Sequence, residues 1–194
     1  MILGITGGMG CGKSTVTRML AAAGFECIDS DALIKEHVLH EPAVLTALRE
    51  RFGAGVFTST GEVDRRELAA RVFARDEDRV WLEQLTHPRL FALWRERLRS
   101  RPHGRWVLEV PLLFEKQLEN WFDFTVCVAS SPAQQLSRLE QRGIPRALAG
   151  QRISKQLPLA QKTELSDFVL WNDGAVEFLQ AQVDRLLAAL PVDR

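Results

Sequence analysis

The sequence carries no excess charge of either sign, because 25 lysine and arginine residues balance 25 aspartate and glutamate residues. Without net charge a protein has no overall field that draws it to nucleic acid or to an anionic membrane, so we expect neither as a partner. No stretch approaches the roughly 20 apolar residues of a membrane helix. The apolar start, residues 1–6, lacks the basic leader and cleavage site of a signal peptide. These absences predict a cytoplasmic protein.

Cysteine is also scarce. Cys11, Cys27 and Cys127 have neither the spacing of metal ligands nor an obvious pairing, which favours a reducing compartment. The sequence contains no internal repeat and no low-complexity linker, and 194 residues is an ordinary length for one domain. A single domain is therefore expected.

Short β-prone runs alternate with longer helical patterns along the chain. The runs cover residues 2–6, 25–28, 106–110, 124–128 and 168–170, and helices are predicted from about 13 to 24, across much of 32–98, after Pro132 and from Val176. Two helix starts, 64–67 and 131–134, have the pattern of a reciprocal cap. A polar, basic segment precedes the last strand. This alternation predicts an α/β fold with a mostly parallel sheet.

Residues 7–14 match the phosphate-binding pattern G-x-x-x-x-G-K-[ST] in full. Glycines allow the backbone amides to form a concave nest for phosphate oxygens, and the following helix adds its positive end. The lysine would neutralise the β- and γ-phosphates of ATP, and the serine hydroxyl would bind Mg²⁺. The ATP-binding candidates are Gly8, Gly10, Cys11, Gly12, Lys13, Ser14 and Thr15, with Ser14 as the magnesium ligand. The alternative is a glycine-rich turn that binds nothing.

Two acidic residues, Asp29 and Asp31, follow the second predicted strand. Chemistry in open α/β sheets gathers at the carboxyl ends of the strands, so a carboxylate here could accept the proton of an attacking hydroxyl. The alternative is structural, because Ser30 or Asp31 could cap a helix that starts at Ala32.

A series of motifs resembles the dephospho-coenzyme A kinases in order and spacing, from near residue 1 to about 175. The series comprises Thr6 to Thr15, Ile28-Asp29-Ser30-Asp31, His87-Pro88, Val110 to Glu115, Gln135, Arg138, Arg142, Arg152-Ile153, Gln156, Asp167 and Asn172. The phosphate loop alone is generic, whereas its combination with His87-Pro88 and the Pro-Leu-Leu-Phe-Glu run is specific to this family.

The resemblance implies ATP-dependent phosphorylation of the ribose 3′-hydroxyl of dephospho-coenzyme A, which gives coenzyme A and ADP in the last step of coenzyme A synthesis. It also implies a three-layer fold with a parallel five-stranded sheet. The core would comprise about 1–31, 105–135 and 165–194, the helical acceptor-binding region about 32–104, and a small lid about 138–162. We expect a monomer or a weak homo-oligomer.

The resemblance also assigns roles to residues. Asp31 matches the proposed general base, and Lys13 and Arg142 are the other catalytic residues that the resemblance implies. Arg142 is also expected to bind ATP as the lid arginine that contacts phosphate, and Asn172 to bind ATP in the adenine-binding loop. Acceptor contacts fall on Thr6, Asp31, Lys35, His87, Pro111, Leu112, Leu113 and Phe114. Two positions depart from the family pattern: Lys35 replaces arginine, and Glu109 replaces the aspartate of many members. Core packing is the alternative for residues 112–114, and a plain turn for Asn172.

Two clusters of basic residues remain. Six basic residues between 138 and 162 stand against one acidic residue, which favours a phosphate-facing lid over a solvated helix face. Five arginines between 95 and 105 lie at the end of a predicted helix, where cations complement the helix dipole. The alternative is contact with acceptor phosphates.

Two other functions compete with the family reading. Another small-molecule kinase, acting on a nucleoside or nucleotide, would share the phosphate loop. A GTP-dependent switch is disfavoured because the sequence has no Asn-Lys-x-Asp guanine motif.

Overall fold

The computed structural model describes residues 1–191, apart from the side chain of Phe73, so the last three residues of the expected core range lie outside it. The strands are β1 (Ile2–Gly7), β2 (Glu26–Asp29), β3 (Trp106–Glu109), β4 (Phe124–Ala129) and β5 (Phe168–Trp171). The α-helices are α1 (Lys13–Ala22), α2 (Ser30–Glu36), α3 (Pro42–Phe52), α4 (Arg65–Ala74), α5 (Asp76–Ser100), α6 (Pro132–Gln141), α7 (Arg146–Ser154), α8 (Leu159–Leu165) and α9 (Val176–Ala189). Short 3₁₀ turns cover Val38–His40, Gly53–Val56 and Glu119–Trp121.

The strands form one parallel sheet in the order β2-β3-β1-β4-β5. Each predicted strand is found within one residue of its predicted bounds, and the predicted α/β class with five parallel strands is confirmed. Because all strands run the same way, their carboxyl ends lie along one edge of the sheet. Ligands of open α/β sheets bind at this edge.

The chain divides into two compact units, one made of Met1–Asp29 and the chain from His103 on, the other of Ser30–Pro102. The first contains the sheet, with α1 and α9 packed on it around a shared apolar core. Leu179, Val183 and Leu186 of α9 are buried at helical spacing, which agrees with the predicted apolar stripe. Each such side chain contributes about 1.5–3 kcal/mol through burial.

The second unit, Ser30–Pro102, has a separate helical core of residues such as Val44, Leu48 and Leu68. Its helix α4 begins as predicted at a capping aspartate, because the Asp64 carboxylate accepts the N–H groups of Arg66 and Glu67 at 2.9 and 3.2 Å. The predicted reciprocal half of the cap is wrong. The N–H of Asp64 donates instead to Val56 O at 2.9 Å, so a backbone partner replaces the glutamate.

The cap of α6 also differs from the prediction. Ser131 Oγ accepts the N–H of Gln134 at 3.4 Å, as expected. The N–H of Ser131 itself donates to Asp173 Oδ1 at 2.8 Å, and the Gln134 amide donates to Asp173 O. A residue 42 positions away in sequence thus satisfies the donor that a local cap would have satisfied.

The polar segment before β5 is organised as two helices, α7 and α8, each preceded by a proline at its N-cap position. The arginine-rich run ends α5, and Arg97 and Arg99 lie in its last turn, as the dipole interpretation predicts. Within the described part of the chain, no helix is both long enough and apolar enough to cross a membrane.

Candidate active site

The phosphate loop connects the end of β1 to the start of α1, at the carboxyl edge of the sheet. Gly12 lies at the N-cap of α1 in the left-handed region, with φ 95°, a conformation that glycine adopts at little cost. A Cβ at this position would also collide with the Asn172 side-chain amide. Both facts require glycine here, so the loop backbone can lie close to its neighbours.

Lys13 projects into this loop and is only 9% exposed. Its ammonium donates to the carbonyl oxygens of Gly7 and Gly8 at 3.3 and 3.1 Å. A buried ammonium needs compensating partners, and phosphate oxygens would be stronger ones than carbonyls. The lysine therefore lies where an anionic group entering the loop would meet a positive charge.

The next two residues lie in the first turn of α1. Ser14 is exposed, and Thr15 is half-buried. The N–H of Thr15, an ATP-binding candidate, donates to Gly12 O at 3.0 Å. Contact with a phosphate would require that this hydrogen bond be shared or exchanged.

Three side chains donate to a single carbonyl oxygen of the loop. Cys11 O accepts from Asn172 Nδ2 at 2.9 Å, from Ser130 Oγ at 3.4 Å and from Arg138 Nη1 at 3.5 Å. The C=O and N–H of a trans peptide point in opposite directions, so fixing Cys11 O turns the Gly12 N–H away from these three residues. The contacts thereby orient one of the amides of the nest.

Arg138 binds more of this region than any sequence pattern indicated. It also donates to Gly10 O at 3.4 Å, to Ser130 Oγ at 3.0 Å and to Asn172 O at 2.7 Å. The run of basic residues from 138 to 162 predicts that Arg138 faces phosphate, whereas its guanidinium contacts the carbonyl oxygens of Gly10, Cys11 and Asn172. The sequence signal that could have indicated these contacts is the position of Arg138 one helical turn after Gln135. In the structure Gln135 is buried and donates to Ser130 O.

The cysteine of the loop is fully buried. Burial raises the pKa of the Cys11 thiol, although the neighbouring Lys13 ammonium acts in the opposite direction. A helix N-terminus can lower the pKa of a cysteine, but burial has the larger effect on Cys11. Cys11 therefore serves as a small neutral residue that fills the loop.

The acidic residues at this end of the sheet have different surroundings. Glu109, at the end of β3, accepts from Thr17 Oγ1 at 3.3 Å. Asp29 ends β2 and is exposed. Because α2 begins at Ser30, Asp31 lies inside its first turn, and the alternative of a cap for a helix starting at Ala32 is wrong.

Three acceptor candidates, Asp31, Lys35 and His87, belong to the Ser30–Pro102 unit. Asp31 and Lys35 are both exposed and stand four residues apart on α2, so they share one face of that helix. His87 is half-buried within α5, and its ring centroid lies 5.7 Å from that of Phe91.

The remaining acceptor candidates lie in the sheet-containing unit. Thr6 Oγ1 donates to Pro111 O at 3.3 Å, which joins β1 to the segment after β3. Leu113 and Phe114 are buried, which favours core packing for these two. Pro111 and Leu112 remain half-buried, so Leu112 is the more accessible apolar side chain of the segment.

The residues expected to form a lid differ greatly in exposure. Arg142 is exposed and follows the last turn of α6, and Arg146 forms an exposed ion pair with Glu140 at 3.5 Å. Lys162, by contrast, is fully buried. The lid segment also reaches the phosphate loop, because Gln156 Oε1 accepts the N–H of Met9 at 3.2 Å.

Comparison with known proteins identifies relatives along the whole chain. The family model described as dephospho-CoA kinase matches residues 1–177. A dephospho-CoA kinase of Thermosynechococcus vestitus is 40% identical over 190 residues, covering 97% of this chain and 94% of that protein. One from Anaeromyxobacter dehalogenans is 39% identical over 193 residues, covering 97% and 92%.

Solved structures agree with these relatives. The crystal structure of the Thermus thermophilus protein TT1252 has a TM-score of 0.86 and 34% identity, covering 99% of this chain and 98% of that one. A dephospho-CoA kinase from Campylobacter jejuni has a TM-score of 0.70 at 22% identity, covering 96% and 95%. At this lower identity the likeness concerns the fold alone.

Proposed function

Since this chain belongs to the dephospho-CoA kinase family, it transfers the γ-phosphoryl group of ATP to the ribose 3′-hydroxyl of dephospho-coenzyme A, and we propose which of its residues perform each part of that reaction. The proposal depends mainly on one observation. A buried lysine lies inside a glycine loop at the carboxyl edge of a parallel sheet, and neighbouring side chains fix the Cys11 carbonyl of that loop. The alternative of a nucleoside or nucleotide kinase is not favoured by the relatives.

The phosphate loop is assigned to the donor. In our proposal Gly8, Gly10, Gly12 and Cys11 supply the backbone of the nest, and Lys13 exchanges its carbonyl partners for the β- and γ-phosphate oxygens of ATP. After this exchange the ammonium is already in place when negative charge spreads over the transferring phosphoryl group. Because it need not move at that moment, it stabilises the transition state. Asn172 supports the loop and is assigned to the nucleotide side.

Magnesium is proposed to accompany ATP, with Ser14 as its protein ligand. Among the described residues, no group of three or more His, Cys, Asp or Glu side chains could hold a metal ion. The exposed Ser14 hydroxyl beside the phosphate loop fits Mg²⁺, which keeps several waters and binds through phosphates and few protein ligands. When bound, the ion neutralises charge on the phosphate oxygens.

Asp31 is proposed to accept the proton of the ribose 3′-hydroxyl. Its exposure on the first turn of α2 leaves the carboxylate accessible to a substrate, and proton acceptance is ordinary aspartate chemistry. Lys35, one helical turn further on, is suited to bind an acceptor phosphate, although an ammonium lacks the planar fork of arginine. His87, Thr6 and the segment Pro111–Phe114 complete the proposed acceptor contacts. Within the segment, Pro111 and Leu112 are the accessible residues, and Leu113 and Phe114 are buried.

Arg142 is proposed to contact the transferring phosphoryl group when the lid closes. Its side chain is exposed at the end of α6 and can therefore reorient. An arginine that meets the transition state supplies charge at the oxygens where it accumulates. Closure would also exclude water from the reacting group.

The larger assignments are proposals as well. We assign acceptor binding to about residues 32–104 and the lid to about 138–162. The zero net charge supports a protein that binds neither nucleic acid nor membrane. We also expect a cytoplasmic location and a monomer or weak homo-oligomer.

An acceptor panel tests the proposal directly. Purified protein is mixed with Mg-ATP and either dephospho-coenzyme A, a nucleoside or a nucleoside monophosphate, and ADP release is followed. We expect acceptor-dependent ADP and coenzyme A with dephospho-coenzyme A alone. Faster turnover with a nucleoside monophosphate would contradict the assignment of the acceptor.

A further inference from the structure

Lys162 of α8 is a fully buried cation in a part of the chain otherwise rich in exposed charges. Its ammonium lies 2.7 Å from Glu115 Oε1 and donates to Pro111 O at 2.8 Å. Lysine is almost never fully buried unless it is paired, because an unpaired buried charge is costly. The pair therefore joins α8 to the segment that follows β3.

The carboxylate of this pair has a second donor. Glu115 Oε1 also accepts the N–H of Leu157 at 2.9 Å, and Leu157 lies in the linker between α7 and α8. The other oxygen, Oε2, is buried and has no hydrogen-bond partner among residues 1–191. A single oxygen thus connects the linker, α8 and the segment 111–115.

The same group of contacts continues to the phosphate loop. Pro111 O accepts from Thr6 Oγ1 as well as from Lys162, and Thr6 immediately precedes the loop. The neighbour of Leu157, Gln156, accepts the N–H of Met9 inside the loop. The ion pair therefore lies between the linker of the proposed lid, the start of the phosphate loop and the proposed acceptor segment.

We propose that Glu115 and Lys162 are positioning residues that hold the segment 111–115 in place for the acceptor. The inference rests on the proposed acceptor role of Pro111–Phe114. Replacement of a buried ion pair by apolar residues is often neutral or stabilising, so fold stability alone gives little reason for such a pair. A role in fixing a substrate-binding segment explains why the pair lies between the linker, the phosphate loop and the segment 111–115.

The test uses Glu115→Gln and Lys162→Met in the full chain. Glutamine keeps an acceptor oxygen for the Leu157 N–H but removes the charge that compensates Lys162. Methionine removes the ammonium that contacts both Glu115 and Pro111. For each variant we expect the KM for dephospho-coenzyme A to rise about tenfold, with kcat and the KM for ATP within about threefold. If Lys162→Met does not fold, Glu115→Gln decides.

Asp167→Asn is the matched control. The Asp167 carboxylate accepts from the N–H and the hydroxyl of Thr125, both at 2.7 Å, at the amino ends of β4 and β5. It is another carboxylate link within the same unit, at the amino ends of the strands, and Asp167 itself is exposed. We expect this variant to lower the melting temperature without changing the KM for dephospho-coenzyme A.

Leu112→Ala separates this inference from the acceptor assignment on which it rests. If Leu112→Ala raises the acceptor KM but folded Glu115→Gln does not, the positioning inference is wrong and the acceptor assignment stands. If neither variant changes it, both are wrong. A lower melting temperature in Glu115→Gln with an unchanged acceptor KM would show that the pair only stabilises the fold, and the positioning inference would be wrong.

Discussion

The phosphate loop and the outer part of the proposed lid, residues 142–155, differ in how the protein holds them. In the loop, Gly10 O and Cys11 O are bound by side chains from β4–α6 and from the end of β5. In α7, Ala149 is the one residue buried, and the neighbouring ion pair of Arg146 is exposed and therefore worth little. The phosphate loop is therefore fixed before a ligand arrives, whereas most residues of the outer lid are exposed.

In our proposal, each region therefore has a separate part in catalysis. A fixed nest supplies charge without rearrangement, whereas a loosely held segment can close after substrates bind. Variants in the loop should therefore affect ATP binding together with turnover. Variants in the outer lid should affect turnover while ATP still binds.

Lys13→Ala should have the largest effect, because it removes the cation from the centre of the fixed region. We expect the loss of at least about 1000-fold in turnover, with the circular dichroism spectrum of the wild type retained. Arg185→Ala on the exposed face of α9 serves as the control. Turnover within tenfold of the wild type would contradict the role of Lys13.

Arg142→Ala tests the outer part of the proposed lid. If this arginine meets the transition state, kcat should fall by about 1000-fold, while the dissociation constant of ATP measured by calorimetry changes less than about threefold. A parallel rise in the ATP dissociation constant would place Arg142 in ground-state binding instead.

Asp31→Asn tests the proposed base. We expect turnover to fall by about 100- to 1000-fold with ATP binding unchanged, because the carboxylate is assigned to the acceptor hydroxyl. Asp29→Asn, two residues earlier at the end of β2, is the comparison and should stay within a few fold. Near-normal turnover by Asp31→Asn would mean that another group accepts the proton.

Arg138→Lys should sharpen the contrast between Arg138 on α6 and Arg142, which follows the last turn of that helix. Lysine keeps the charge but cannot reach several carbonyl oxygens with one planar group, so the loop loses part of its support. We expect the KM for ATP to rise about tenfold and the acceptor KM to change less. An effect confined to kcat would show that Arg138 acts as the outer lid does.

The smallest predicted effect concerns stability at high pH. Burial raises the pKa of the Cys127 thiol from 9.0 to about 12. Between these values the unfolded chain has lost the proton that the folded chain keeps, so the free energy of unfolding falls as pH rises from about 9 toward 12. In Cys127→Ala this group is absent, so its free energy of unfolding should fall less steeply with pH than that of the wild type, by up to about 1 kcal/mol per pH unit in this range. Equal slopes in urea denaturation would contradict it.

The sequence predicted the parts of the molecule that depend on local patterns. Strand positions followed from short apolar runs, and the phosphate loop followed from eight consecutive residues. The support behind the loop could not be predicted in the same way, since Arg138 and Asn172 meet Cys11 across 127 and 161 positions. Such contacts arise from sheet order, which local composition does not encode.

The charge pattern of the sequence showed where the basic residues cluster but not which groups they contact. The basic residues between 138 and 162 suggest one phosphate-facing lid. In the structure Lys162 is buried against Glu115, and Arg138 contacts loop carbonyls, whereas Arg142 remains exposed. The two capping patterns were likewise found at the right helices, but Val56 and Asp173 supply the partners that local geometry was expected to supply.

Calorimetric titration of the purified protein with Mg-ATP measures the central claim most directly. If the loop is a preformed phosphate site, the wild type should give a saturable heat with one ATP per chain, and Lys13→Ala should bind at least about tenfold more weakly. A wild-type titration with no heat and no saturation, or a Lys13→Ala variant that binds as tightly as the wild type, would contradict it.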